Sequence, residues 1–297
     1  MKAPAPSLPL FVDGALSREL ETAEAETSRA FCEASAAVYP GAPIYVIPCA
    51  GGYGLHYGSS DPLNGVKGVG LSGPVDVAAW DALENAFRAA VSPVIIDLSP
   101  FADEAFVALL CGRGYAIGSF ETVLCRRLDG GAAMPDVFPA QGVTVEIVGT
   151  ERAREWTRVI GVGFADGGSP MQFAVDFGLV RERLTNSVML LACVDGVAAG
   201  GAGVSIHGNV AHMAGAAVLP QFRGRGIQQL LTMERLRIAG DRGCTLAKLD
   251  VSGGSGSYRN AVRAGFQVAY TRPQMVRTWS GHVVQQSSRT GSGGVTT

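Results

Sequence analysis

The chain has 297 residues, 47% of them apolar and 17% charged, with 24 Lys and Arg against 26 Asp and Glu. That near balance excludes a globally basic nucleic-acid coat, and the length allows two domains that each bury a core. No apolar run reaches the roughly 18 residues of a membrane span, and Pro4, Pro6 and Pro9 break any signal-like core, so a soluble cytoplasmic protein with no membrane partner is expected.

Residues 1–15 are Pro-rich and read as a flexible N-terminus. From Leu16 onward Leu20, Ala23, Ala30, Phe31 and Ala34 recur at helical steps, with Arg18, Glu19, Glu26 and Arg29 between them. Residues 43–49 and 54–58 read as strands. The face Trp80, Leu83, Phe87 and Ala90 marks a helix over 77–90, and 94–98 is a short buried strand. A helix carrying Ala105, Phe106, Leu109 and Leu110 follows Pro100, and a strand covers 120–125. Residues 129–141 are rich in Gly, Ala and Pro and read as a linker.

The pattern then restarts, with a strand at 143–148 and a helix at 153–164. Two strands, 187–194 and 197–206, meet at Asp195-Gly196, a two-residue hairpin signal. A third strand spans 210–219, followed by a Gly/Arg loop, a helix to about Ala239, a strand at 244–251, a helix to Ala264 and a last strand from Phe266. The Ser, Gly and Thr tail at 280–297 is expected to be disordered. Both halves close as helix, Gly, aromatic, strand, with Gly114-Tyr115 matching Gly265-Phe266, and a strand Asp precedes each, Asp97 and Asp250. The six cysteines, with no C-x-x-C pair among them, read as reduced and mostly buried thiols.

The stretch that carries chemistry runs Ala216-Ala217-Val218-Leu219-Pro220-Gln221-Phe222-Arg223-Gly224-Arg225-Gly226-Ile227-Gln228. It is strand, Gly/Arg turn and helix. A helix N-terminus offers unpaired N–H groups and partial positive charge to phosphate oxygens, and glycines let a pyrophosphate approach the backbone. Between Gly215 and Gly265 eight Lys and Arg stand against three Asp and Glu, which suits an anionic ligand.

This segment resembles the Q/R-x-x-G-x-G/A phosphate-binding motif of the GNAT superfamily of acyl-CoA N-acyltransferases. Arg223 matches the first position and Gly226 the fourth, and Gln228 departs from the small residue usual at the sixth. Ser257-Tyr258-Arg259-Asn260 through Gly265-Phe266 resembles the helix that closes the pantetheine groove in one branch. The resemblance is strong over 143–279. Over 16–128 it is fainter, like the degenerate first domain of tandem members. It implies an α/β architecture of two tandem GNAT-like domains, each a mixed, splayed sheet flanked by helices: 16–128 degenerate and 142–279 competent for acyl-CoA.

The resemblance further implies acetyl-CoA as co-substrate and direct acyl transfer to a primary amine of a small-molecule or peptide acceptor. Ala216, Ala217 and Val218 would pair with pantetheine. The N–H groups of Gly224, Arg225, Gly226, Ile227, Gln228 and Gln229 would hold the pyrophosphate beside Arg223, and Ser257 and Asn260 would bond the arm or phosphates. Transfer needs a base for the ammonium and an acid for the thiolate. Many members carry the acid as a Tyr four residues before the Gly of the G-F pair, where this chain has Ala261. Tyr258 is the substitute candidate, and Asp250 and His212 are the other catalytic candidates.

Several rival readings are weaker. Gly68-Val69-Gly70-Leu71-Ser72-Gly73 fits G-x-G-x-x-G, but Pro74, Val75 and Asp76 intervene before the helix, so a Gly/Pro loop is the better reading than NAD binding. The histidines and cysteines form no metal spacing, and the near pair His207 and His212 reads as accidental, so no metal is expected. Met171 and Phe173 suit a cleft edge, whereas Trp156 suits the core. A non-catalytic acyl-CoA sensor is the alternative function, and acylation of protein N-termini or lysines a third.

Overall fold

Helix α1 (Gly14–Val38) opens the chain in the computed structural model, which describes residues 10–58, 61–128, 142–165, 173 and 175–279. The 129–141 linker, the 280–297 tail and Met171 lie outside the described residues. Within the expected flexible N-terminus, residues 10–15 are instead ordered. Leu10 N–H donates to Gln267 Oε1 at 2.8 Å, and the Asp13 carboxylate caps α1 by accepting from Leu16 N–H.

The first half continues with β1 (Tyr45–Cys49), β2 (Gly52–His56), β3 (Gly65–Lys67), α2 (Val77–Ala89), β4 (Val94–Asp97), α3 (Glu104–Gly112) and β5 (Ala116–Arg127). The second half comprises β6 (Val143–Ile147), α4 (Ala153–Phe164), α5 (Phe177–Arg181), β7 (Ser187–Val194) and β8 (Val197–His207). It goes on through β9 (Val210–His212), β10 (Ala217–Val218), α6 (Ile227–Asp241), β11 (Leu246–Val251), α7 (Gly256–Arg263) and β12 (Gln267–Arg277). At the β7–β8 hairpin Asp195 and Gly196 both have positive φ, 49° and 81°, as the sequence signal requires.

The strand expected at 210–219 is broken into β9 and β10. Gly215, with φ 63°, turns the chain between them. The pairing of β9 with its parallel partner β11 ends just before that turn, at Lys248↔His212.

The halves do not keep separate sheets. One twelve-stranded sheet runs β1-β2-β3-β4-β12-β5-β11-β9-β8-β7-β6, with β10 added to β8. The final strands are exchanged: β5 of the first half pairs with β11, β12 of the second half pairs with β4, and β5 and β12 pair with each other in the middle. Among the described residues only β3–β4 and β9–β11 are parallel. The exchange leaves no exposed strand edge where the halves meet.

Because side chains alternate across a strand, the two faces have different partners. Ala211, Met213, Ala247 and Leu249 pack with Ile227 and Leu231 of α6 and Ala261 of α7. On the other face Val210, Leu246, Val123 and Tyr270 meet Leu20 and Ala23 of α1. Helix α4 sets Trp156, Val159 and Ile160 against Met189 and Leu191 of β7. All six cysteines are free thiols, Cys111 exposed and the others buried. Among the described residues no helix is long and apolar enough to cross a membrane.

Candidate active site

Strands β9 and β11 run together through Lys248↔His212, and Met213 N–H still donates to Lys248 O at 2.8 Å. Beyond that point they part. Ala214 exchanges both backbone bonds with Gly203 of β8, and Ala217 and Leu219 follow onto β8, with Leu219 N–H donating to Ala199 O at 2.9 Å. In an antiparallel ladder alternate residues face the partner, so Ala216 and Val218 turn their peptide groups toward the opening while Ala217 is committed to β8. The result is a V-shaped gap between residues 215–218 and the end of β11.

The loop at the mouth of this gap is built for an open helix terminus. Gly224 and Gly226 have φ of 77° and 73°, and a Cβ at either would meet no atom within 4 Å. Glycine is thus required there by backbone conformation and not by crowding. Gly226 is the N-cap of α6 and supplies no side-chain cap, and Leu230 N–H is the one that returns to Gly226 O, at 3.0 Å. The N–H groups of Ile227, Gln228 and Gln229 precede it in the first turn. Arg223 donates to Val218 O at 3.3 Å and Gly163 O at 3.2 Å, so its guanidinium ties the turn to β10 and α4. Arg225 is exposed beside the Phe222 ring.

The first half repeats the order of elements but closes the corresponding place. Its loop 68–76 leads into α2, whose N-terminus is capped by the Asp76 carboxylate, accepting from Ala78 N–H at 3.0 Å. A Cβ at Gly70 would stand 2.7 Å from Phe106 of α3, a ring only 2% exposed. A carboxylate stands where an anion would bind, and an aromatic ring fills the space behind it.

The catalytic candidates divide. His212 Nε2 lies 3.4 Å from Asp250 Oδ2 on the α1 face, with His212 buried and Asp250 half-buried. Tyr258 packs with the α6–α7 cluster on the opposite face, so the structure does not bring it to the pair. Ser257 is exposed and Asn260 half-buried on α7. His207 pairs with Val210 and does not join His212. Phe173 stacks edge-on to Phe177 at 4.5 Å and Trp156 is fully buried.

Around Asp250 lies an ionic network that the sequence reading missed. Glu24 of α1 accepts from Lys248, from Lys67 at 2.7 Å and from Arg272 at 3.0 Å. Arg272, fully buried, also reaches Glu21 at 2.6 Å, Glu121 at 2.8 Å and Asp250 at 3.4 Å, and Lys248 reaches Asp250 at 3.3 Å. Tyr270 OH donates to Glu21 at 2.8 Å, and Lys67 is paired with Asp97. Burial raises these carboxyls, but for Glu24 the cations Arg272, Lys248 and Lys67 win and hold it well below the usual range. Lys67 and Arg272 bring Asp97 down to about 2. Burial and Glu24 push Asp250 up, yet Lys248, Arg272 and the His212 hydrogen bond outweigh them, so it sits below its ordinary value. At Glu121 burial and the neighbouring carboxylates prevail over Arg272, and it is raised.

Glu24, His212 and Asp250 each offer an atom within 4.8 Å of the others. Lys248 and Arg272 already touch the two carboxylates, so a metal cation there would face two buried positive charges.

Residues 160–266 match the acetyltransferase (GNAT) family model. No curated protein sequence matches the chain significantly. Among solved structures, a GCN5-related N-acetyltransferase from Kribbella flavida superposes with a TM-score of 0.60 at 20% identity, covering 90% of this chain and 96% of that one. A tandem GNAT protein from the clavulanic acid biosynthesis pathway superposes at 0.55 and 18% identity, covering 89% and 93%. A GCN5-related N-acetyltransferase from Sphaerobacter thermophilus gives 0.54 at 18% identity, with 67% of this chain on 66% of that one. The chain is therefore a protein of tandem GNAT fold. Within its second half, residues 160–266 are similar to the acetyltransferase (GNAT) family.

Proposed function

We propose that the second half binds acetyl-CoA and transfers the acetyl group to a primary amine by direct attack. The observation that carries this reading is the joining of the open α6 terminus to the β9/β11 gap, with His212 and Asp250 at the point where the strands part. In this reading acetyl-CoA supplies a thioester activated for acyl transfer. The first-turn N–H groups of α6 hold the pyrophosphate, with Arg223 fixing the turn, and Ala216 and Val218 offer peptide groups to the pantetheine. Ser257 and Asn260 border the same side. Arg225 adds positive charge at the surface.

The acceptor approaches from the α1 face. Asp250, kept ionised by Lys248 and Arg272, takes the ammonium proton directly or through His212, and the freed amine attacks the thioester carbonyl. Tyr258, on the α6–α7 side, is the candidate that returns a proton to the departing thiolate. The first half contributes α1, whose Glu24 completes the charge balance around the base.

Asp250→Asn tests this assignment. Because Asn keeps the shape and loses the basicity, kcat is expected to fall by roughly 100-fold or more while the dissociation constant for acetyl-CoA stays within about threefold. Unchanged turnover, measured as free CoA released over an amine panel, would remove Asp250 from the mechanism. Binding of acetyl-CoA with no turnover of any amine by the wild-type chain would identify a sensor instead.

A further inference from the structure

Resting on that acyltransferase reading, we infer that Arg181 binds a carboxylate of the acceptor, so that the acetylated amine belongs to an amino-acid-like molecule.

Arg181 ends α5 on the acceptor side of the sheet and is 9% exposed. No Asp or Glu forms an ion pair with it among the described residues, and its Nε has no hydrogen-bond partner. Its hydrogen bond is one long contact, Nη1 to Ser205 Oγ at 3.4 Å, and its Cζ lies 5.9 Å from the centre of the Trp156 ring. Other buried arginines are provided for. Arg272 meets five carboxylates, Arg235 donates to Leu231 O, Gly203 O and Thr232 Oγ1, and Arg126 donates to Ala264 O. Burial with no compensating carboxylate pulls the Arg181 guanidinium down to about 10. A buried guanidinium with most of its five donors unused is costly unless an anion completes it.

Gly203 and two serines border the guanidinium. A Cβ at Gly203 would stand 3.0 Å from Nη2 and 3.2 Å from Cζ, so this glycine leaves room for the guanidinium against β8. Ser205 and Ser187 lie beside it as a hydrogen-bonded pair, 2.6 Å between hydroxyl oxygens, which leaves one hydroxyl hydrogen for a carboxylate oxygen. Ser205 is also the residue directly opposite His212 in the β8–β9 ladder. Paired residues on one face of a sheet have Cβ atoms about 5 Å apart. A carboxylate on Arg181 therefore sits within a small molecule's reach of an amine at His212 and Asp250. A planar guanidinium is the side chain suited to bidentate carboxylate recognition.

A carboxylate on the acyl donor, as in succinyl-CoA, shares this chemistry, and the test separates the two sources. The full chain is assayed for CoA release from acetyl-CoA with amino acids and their decarboxylated counterparts: ornithine and putrescine, lysine and cadaverine, phenylalanine and phenethylamine. Succinyl-CoA is run against the same amines, and acetyl-CoA binding is titrated in parallel. In at least one pair the carboxylate-bearing amine is expected to be favoured by about 100-fold in kcat/KM. Arg181→Met should erase that preference through KM, leaving acetyl-CoA binding unchanged, and Arg181→Lys should restore part of it. Equal rates within every pair, no turnover of any amino acid, or a preference untouched by Arg181→Met would overturn the inference. So would a succinyl-CoA preference that Arg181→Met abolishes, which would move the guanidinium to the donor. Absence of acetyl-CoA binding would instead overturn the acyltransferase reading beneath it.

Discussion

Arg272→Met is expected to destabilise the protein by about 3–5 kcal/mol, the cost of removing one partner from a buried ionic cluster. Arg272 is fully buried and contacts Glu21, Glu24, Glu121 and Asp250, so the Met variant strands several carboxylates in the interior. For a chain of this size the melting temperature should fall by roughly 10 °C. The effect should also depend on pH. Glu24 and Asp97 have lowered folded-state values, so their contribution is present above the unfolded carboxyl range and is lost as pH falls through the folded values, about 2 for Asp97. Protonated carboxyls no longer need the guanidinium, so the gap between wild type and variant should be widest near neutral pH and narrow toward pH 3. Urea unfolding at both pH values reads this out. An unchanged midpoint at neutral pH would show that the network carries no net stability.

Separating the halves should have a larger effect still. A chain limited to 142–279 removes β5 from beside β11, across six residue pairs from Leu246↔Arg127 to Val251↔Thr122. It also removes both neighbours of β12, namely β4 and β5. The remaining strands would expose unpaired edges, and Lys248 and Arg272 would lose Glu24 and Glu21. We expect this fragment to be insoluble or to lack cooperative unfolding, and co-expression with 1–128 to restore a soluble complex. A monomeric 142–279 fragment that unfolds in one sharp transition would show that the exchanged strands are dispensable. The proposed boundaries at 128 and 142 would then mark independent folding units.

Local order was legible where periodicity is long or turn chemistry is strict. Helix α4 and strand β7 fall at the positions the apolar pattern indicates, and the Asp195-Gly196 turn adopts the backbone its residue types favour. Strand β3, with three residues, and helix α5, with five, are too short for a period to register. The strand exchange left no local signal, because β5 and β12 read as ordinary closing strands and their partners lie far away in sequence. In the candidate site, the backbone turn at Arg223–Gly226 was legible from its glycines. Glu21, Glu24, Lys67, Lys248 and Arg272 were not, since a charged side chain in an amphipathic pattern is read as solvent-facing. Lys248 between Ala247 and Leu249 was the available hint, a charge inside an apolar strand run. Spacing also could not tell which face Asp250 and Tyr258 occupy. The first joins His212 and the second lies across the sheet from it.

Calorimetric titration with acetyl-CoA tests the donor site proposed between β10, the Gly/Arg loop and α6. The wild-type chain should bind one equivalent, bind free CoA at the same place and ignore NAD. Gly226→Trp puts a bulky side chain and a disfavoured φ of 73° at the N-cap of α6, and should abolish binding in a protein that remains folded by circular dichroism. Wild-type protein that binds no acyl-CoA, or Gly226→Trp protein that binds acetyl-CoA as well as wild type, would contradict the placement of the site.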